Sequence, residues 1–595
     1  MKFNDLKKWT LSDETIGLLL FVERSLELSY DGTPVPEKRI EPTVWEILDD
    51  CYKLVSLVQS GVRKNARDEL DYFLEKLVQC IKGDPIAKDM IYGADNYTLN
   101  RLNTQSIEEL RTLLNLLKGI FSQKKYWEKL QLKTLNLVMD KKNKREILEC
   151  ADRCFYFLIR VGYVKSSIYY LLQKIFFYDL SDGVVKDSSY LKNYFDLFDL
   201  QAKVFDVYFK CSNATGDLEG GFDIFSISYV TDPQPKYGLK IERNFFKKEG
   251  VNYILCSKVR ALDYMHAVFL ARDKLSKISN IFSFMHHKSK FWYSNDCLIY
   301  NNNKEHVKLL NLPSNIMSKT ADVGIDYAKE NLGIFLRGFR MSKHSFERFN
   351  QSIELHALAL KTESLSAQLL NLWICIESLL VTGKGSHVGE VENYLTHIIC
   401  NDYLAAKLEG LDLYLLNWKK DFYESLLEKV DSLDNERNIK LAKLLCFKEH
   451  EPILKEIGAE LSSGTPSPLL LNKLWEASQL LRSVSRITEA RKKVKEKIKF
   501  DIKRIYLMRN EIVHQGEVKA RDNLVEVAHY YLDSILNTIV VKSYERRREI
   551  RDFLYEQKMI GEEYERALTN VKDDLVDESN FKRLIFSPDY NLYFD

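Results

Sequence analysis

Proline and glycine are scarce in this chain, 11 and 24 among 595 residues, so little in it forces turns or breaks. No low-complexity tract or internal repeat stands out, and a mainly α-helical protein with few disordered linkers is expected. Long apolar runs are missing too. Ile16 to Val22 is among the longest and falls far short of a bilayer span. The first residues, Met1 to Lys8 followed by Asp13 and Glu14, hold no signal-peptide core. A cytoplasmic protein without membrane contact is the expectation. The ten cysteines are scattered. Cys150 and Cys154 share a helix face, but no second pair and no histidine completes a zinc set, so reduced core thiols are expected, with no metal and no cofactor. An excess of one charge is absent as well: 87 Lys and Arg stand against 85 Asp and Glu, so whole-chain charge points to no partner.

At this length the chain needs several cores. Residues 1–205 read as a helical N-terminal region, sensory or regulatory, with periodic segments at Thr43 to Leu57, Ala66 to Ile81, Ser106 to Phe121 and Arg145 to Phe177. Residues 206–320 shift toward β-formers, at Phe222 to Val230, Tyr237 to Arg243, Asn252 to Lys258 and Phe291 to Tyr300, interrupted by a helix from Leu262 to Phe284. A small α+β middle module is expected there. Helices resume in 321–545, and 546–595 reads as a helical tail.

The most informative stretch is Arg509-Asn510-Glu511-Ile512-Val513-His514. From about Thr488 to Ile512 good helix formers run without glycine or proline, and Gly516 is the first stop signal, so the motif ends a long helix. Arg509 falls on a stripe with Ile502, Ile505, Ile512 and Val513 and should lie against apolar neighbours. At 100° per residue Arg509 and His514 point about 140° apart. They converge only if the helix distorts, the arginine curls round, or a second copy of the chain supplies one of them. Upstream, Leu370, Trp373 and Leu380 share a stripe with Glu377, and two opposite charges on apolar stripes are best explained as partners.

Arg-x4-His with Asn after the Arg resembles the signature of the HEPN superfamily (higher eukaryotes and prokaryotes nucleotide-binding). Arg509 to Gly516 and the Leu370 to Leu380 segment, with its acidic residue after a tryptophan, are similar to the Apea-like branch. The resemblance implies a C-terminal HEPN helical bundle that dimerises, and a metal-independent endoribonuclease with Arg509 and His514 as the active pair, supported by Asn510 and Glu377. It also implies a place in anti-phage defence with a phage-derived trigger. In such a centre a histidine takes the proton of the ribose 2′-hydroxyl or returns one to the leaving oxygen. Arginine holds the phosphoryl oxygens, and the products are a 2′,3′-cyclic phosphate and a 5′-hydroxyl.

Upstream of the motif the helix is rich in cations. Lys492, Lys493, Lys495, Lys497, Lys499, Lys503 and Arg504 are the expected RNA contacts, a track extended by Arg546, Arg547, Arg548 and Arg551. The RNA, whether tRNA, rRNA or mRNA, is not specified. Two other functions fit the same residues: a catalytically silent adaptor that binds nucleotide or RNA and dimerises, and the toxin of a toxin–antitoxin pair. Gly383-Lys384-Gly385-Ser386 follows a helix and reads as a turn instead of a phosphate loop. His286 and His287 are adjacent and suit neither a metal pair nor a triad, and His387 follows the Glu377 helix closely enough to approach the site.

Overall fold

Helix starts in this protein are set by side chains that satisfy the first free amides. Thr43 and Ser106 each precede a helix, Val44–Ser60 and Ile107–Ile120, and exchange capping bonds with Glu46 and Glu109 three residues on. Ser12 does the same with Thr15 for Asp13–Ser29. The computed structural model describes residues 3–38, 41–61, 66–91, 99, 101–102, 106–140, 142–178, 184–211, 226–247, 251–287, 291–302, 306–311, 317, 325–383, 385–430, 436–515, 520–543, 547–571 and 574–586. They form a mainly helical protein with one five-stranded antiparallel sheet. The chain divides into two compact units, Leu6–Tyr30 with Glu41–Ser314, and Met1–Asp5 with Asp31–Ile40 and Asn315–Asp595.

The first unit joins what the sequence separates at 205/206. Its helical part packs around aromatic rings: Trp127 stacks on Phe157 with centroids 5.2 Å apart, and Trp45 donates its indole N–H to the carbonyl of Phe121 at 2.9 Å. The periodic segment from Arg145 to Phe177 is divided between successive helices. Lys144–Val161 ends at Gly162, whose φ of +117° only glycine adopts without strain, and Lys165–Gln173 follows.

The sheet has strands β1 (Lys203–Cys211), β2 (Ile227–Val230), β3 (Asn252–Ala261), β4 (Tyr293–Asn301) and β5 (His306–Asn311) in the order β2-β3-β1-β4-β5. Phe205, Val207 and Phe209 alternate onto one face with the helix Tyr264–Met285, while Tyr253, Leu298 and Tyr300 take the other with Phe245. Two expectations need correction. Tyr237 to Arg243 is no strand: Glu242 accepts bonds from the Tyr237 and Leu239 amides and from the Tyr300 hydroxyl, which pins a helix over Lys240–Phe246. β1 begins inside the region read as helical, because its alternation starts at residue 203. Residues 222–225 of an expected strand lie outside the described residues.

The second unit holds the motif. Lys343–Lys361, Leu365–Leu380, His387–Asn401, Val484–Gln515, Asp522–Lys542 and Ile550–Thr569 pack as a bundle. Between Asn401 and Val484 the chain builds a further helical cluster with its own core, including Leu408, Leu415, Leu444 and Leu470. Of residues 546–595, the described stretches 547–571 and 574–586 pack into this unit. Tyr564 is fully buried in that core, and the Asn401 amide donates to the carbonyl of Gln557 at 2.9 Å.

Candidate active site in the C-terminal unit

The motif helix, Val484–Gln515, runs unbroken through Arg509 and His514; Gly516 lies outside the described residues. Ile502 and Ile505 are buried as the stripe requires, but Val513 is 49% exposed, since the helix end leaves the packed interior. Arg509 is half-buried. Its Nε is enclosed without a hydrogen-bond partner among the described residues, and its Nη1 donates to the Asn510 side-chain oxygen at 3.0 Å. Asn510 therefore orients the guanidinium. His514 is exposed, and no hydrogen bond or ion pair ties it to another described residue. Because the helix is regular here, Arg509 and His514 keep the roughly 140° divergence of an ideal helix.

Glu377 stands elsewhere. The Asp522–Lys542 helix packs against Leu365–Leu380, and just before it the Ala520 amide donates to Ser366 Oγ at 3.3 Å. Against the motif helix it packs where the Tyr531 hydroxyl donates to Asp501 at 2.8 Å. The motif helix also packs on Leu365–Leu380, with the Trp373 and Tyr506 rings 5.6 Å apart between centroids. Among the described residues no ion pair or hydrogen bond joins Glu377 to Arg509. The expected Glu377–Arg509 partnership is thus not formed. Glu377 Oε1 instead lies 3.6 Å from His387 Nδ1, so His387 does approach one of the named residues.

The stretch from Gly383 to Ser386 is a turn closed by the chain's own anion. Glu390 accepts from the Thr382 amide at 2.5 Å and the Gly385 amide at 2.7 Å, which leaves those donors no role on a phosphate. Lys384 lies outside the described residues.

The cationic helix is largely neutralised. Arg504 is 2% exposed and cannot reach a phosphate from the interior, so its assignment as an RNA contact is corrected. Arg491 is likewise internal, its guanidinium 3.7 Å from the ring centre of Tyr564. Lys497 pairs with Asp501 at 2.8 Å and Lys503 with Glu392 at 2.9 Å, while Lys495 meets Glu565. Burial lowers the Lys495 pKa below its ordinary value, and neighbouring Arg491 and Lys499 push the same way. Lys493 with Glu489 and Lys499 with Glu496 form open surface pairs, and Lys492 is exposed with no ion pair to a described residue. Exposed cations thus remain at Lys492, Lys493 and Lys499. Arg546 lies outside the described residues, and Arg548 is paired with Glu556.

One constellation has no counterpart in the sequence reading. His356, His529 and Asp533 converge from two helices, with ligating atoms all within 4.8 Å of one another. The i, i+4 spacing of His529 and Asp533 was the only local signal, because His356 stands 173 residues from His529.

Comparison with protein families, with curated proteins and with solved structures yields no match to this chain.

Proposed function

We propose that the chain is a metal-independent endoribonuclease of the HEPN type, working as a homodimer in which Arg509 of one chain and His514 of the other share a phosphate. The observation that carries this is the pair itself: an oriented, half-buried guanidinium and an exposed imidazole on one regular helix, facing apart within the chain. An arginine held by Asn510 is preorganised for a phosphoryl oxygen, and an open histidine is free to take the 2′-hydroxyl proton. A two-fold axis beside the helix end would bring each arginine to the other chain's histidine. Val513, exposed beside His514, is an apolar residue such an interface would cover. Glu377 is left out of this centre, and the exposed lysines Lys492, Lys493 and Lys499 are its RNA contacts. A role in anti-phage defence rests on the family resemblance.

The test is incubation of purified wild-type and His514→Ala protein with total RNA and tRNA in EDTA, followed by analysis of product ends. Cleavage by wild type alone, leaving 2′,3′-cyclic phosphates, is expected. A second reading, the catalytically silent adaptor that binds nucleotide or RNA and dimerises, is favoured by the lack of contact between Glu377 and Arg509; it predicts binding without cleavage in both proteins.

A further inference from the structure

The helices Lys343–Lys361 and Asp522–Lys542 meet at three side chains of ligating chemistry. His356 Nε2 lies 3.0 Å from His529 Nε2 and 3.6 Å from Asp533 Oδ1, while Asp533 Oδ2 lies 3.4 Å from His529 Nε2. The rings are nearly parallel, with centroids 5.1 Å apart. His529 is 7% exposed, while the His356 and Asp533 side chains keep 19% and 34% of their surface. The cluster is therefore built into the bundle yet open on one side.

We propose that His356, His529 and Asp533 bind one divalent transition-metal ion of the zinc type. Zinc held tetrahedrally at about 2.0–2.1 Å from nitrogen and oxygen separates its ligand atoms by about 3.3 Å; the two imidazole nitrogens are 3.0 Å apart, and one ligand atom from each of the three residues can be chosen within 4.8 Å of the others. Two imidazoles and one carboxylate suit zinc and its first-row neighbours. Magnesium and calcium prefer all-oxygen shells. With three protein ligands a fourth position stays open to water on the exposed side. The pairing of His529 with Asp533 at i, i+4 puts two ligands on one helix face, and His356 closes the set from the other helix, so the ion staples the two together. Both helices flank Leu365–Leu380 and belong to the unit that carries the motif. The site does not depend on the nuclease reading, because it is tested by binding alone.

Full-length protein stripped with a chelator and dialysed free of it is titrated with cobalt(II), followed by its visible ligand-field absorption, and then with zinc(II) as competitor in a calorimeter. One ion per chain is expected, with zinc displacing cobalt and magnesium displacing neither. His356→Ala and Asp533→Asn should each weaken binding by more than the roughly 10- to 100-fold that loss of an outer partner costs. Circular dichroism of the metal-free variants checks folding, and the near-isosteric Asp533→Asn carries the test if His356→Ala misfolds. Absence of saturable one-to-one binding, or unchanged affinity in Asp533→Asn, overturns the proposal and leaves a hydrogen-bonded histidine pair.

Discussion

The shared-site arrangement makes a crossed prediction about mixed dimers. Arg509 and His514 are five residues apart on a regular helix, so their side chains diverge by about 140° while the backbone rises only about 7.5 Å. If each centre takes its arginine from one chain and its histidine from the other, a heterodimer of Arg509→Ala and His514→Ala chains has one dead centre and one intact centre. Its rate should be about half that of wild type per dimer, although each parent homodimer loses roughly 10²–10⁴-fold. The reciprocal heterodimer, wild type with an Arg509→Ala/His514→Ala double variant, then has no intact centre and should be inactive. Differently tagged chains, co-expressed and purified through both tags, supply pure heterodimers, and release of cyclic-phosphate ends from a labelled RNA measures the rate. A reversed pattern, with the reciprocal heterodimer half-active and the first one dead, would place both residues of a centre in one chain and refute the geometric reasoning.

The remaining predictions concern stability and salt. Tyr531→Phe removes a buried hydroxyl that donates to the nearly buried Asp501 carboxylate at 2.8 Å, and should cost about 1.5–3 kcal/mol in a urea melt; no measurable loss would show that this bond is not contributing. His397 has its pKa lowered from 6.5 to about 4, chiefly by burial and then by the Lys495 cation. The folded state therefore binds fewer protons than the unfolded one between those values. Its stabilisation is complete above about pH 6.5 and is lost on acidification toward pH 4, by at most about 3 kcal/mol before solvent screening reduces it. His397→Gln should flatten that part of the stability–pH curve. If single-stranded RNA rides on the exposed lysines, Lys492→Ala with Lys493→Ala should lower the slope of log affinity against log salt by about 1.4, whereas a conservative change at buried Arg504 should leave it unaltered.

Local chemistry was readable along much of the chain. Capping residues such as Thr43 and Ser106 announce helix starts because they satisfy amides only three residues away, and the uninterrupted run before Arg509 announces a long helix for want of anything to end it. Tyr237 to Arg243 misled because its β-forming residues say nothing of the buried Tyr300 hydroxyl, 58 residues on, that holds Glu242 in place. Glu377 misled in a similar way. A charge on an apolar stripe needs a neighbour, but its periodicity does not say which helix arrives or in which direction.

The sequence by itself determined the periodic elements, the divergence of Arg509 and His514 and the local surplus of lysines, all properties of spacing within one helix. Tertiary structure alone decided which of those charges stay open to solvent, with Arg504 buried and Lys503 tied to Glu392. It also paired Glu377 with His387 and brought His356 to His529 and Asp533. Those outcomes depend on the order and direction in which helices pack, and residues more than a few turns apart encode that only through the whole core.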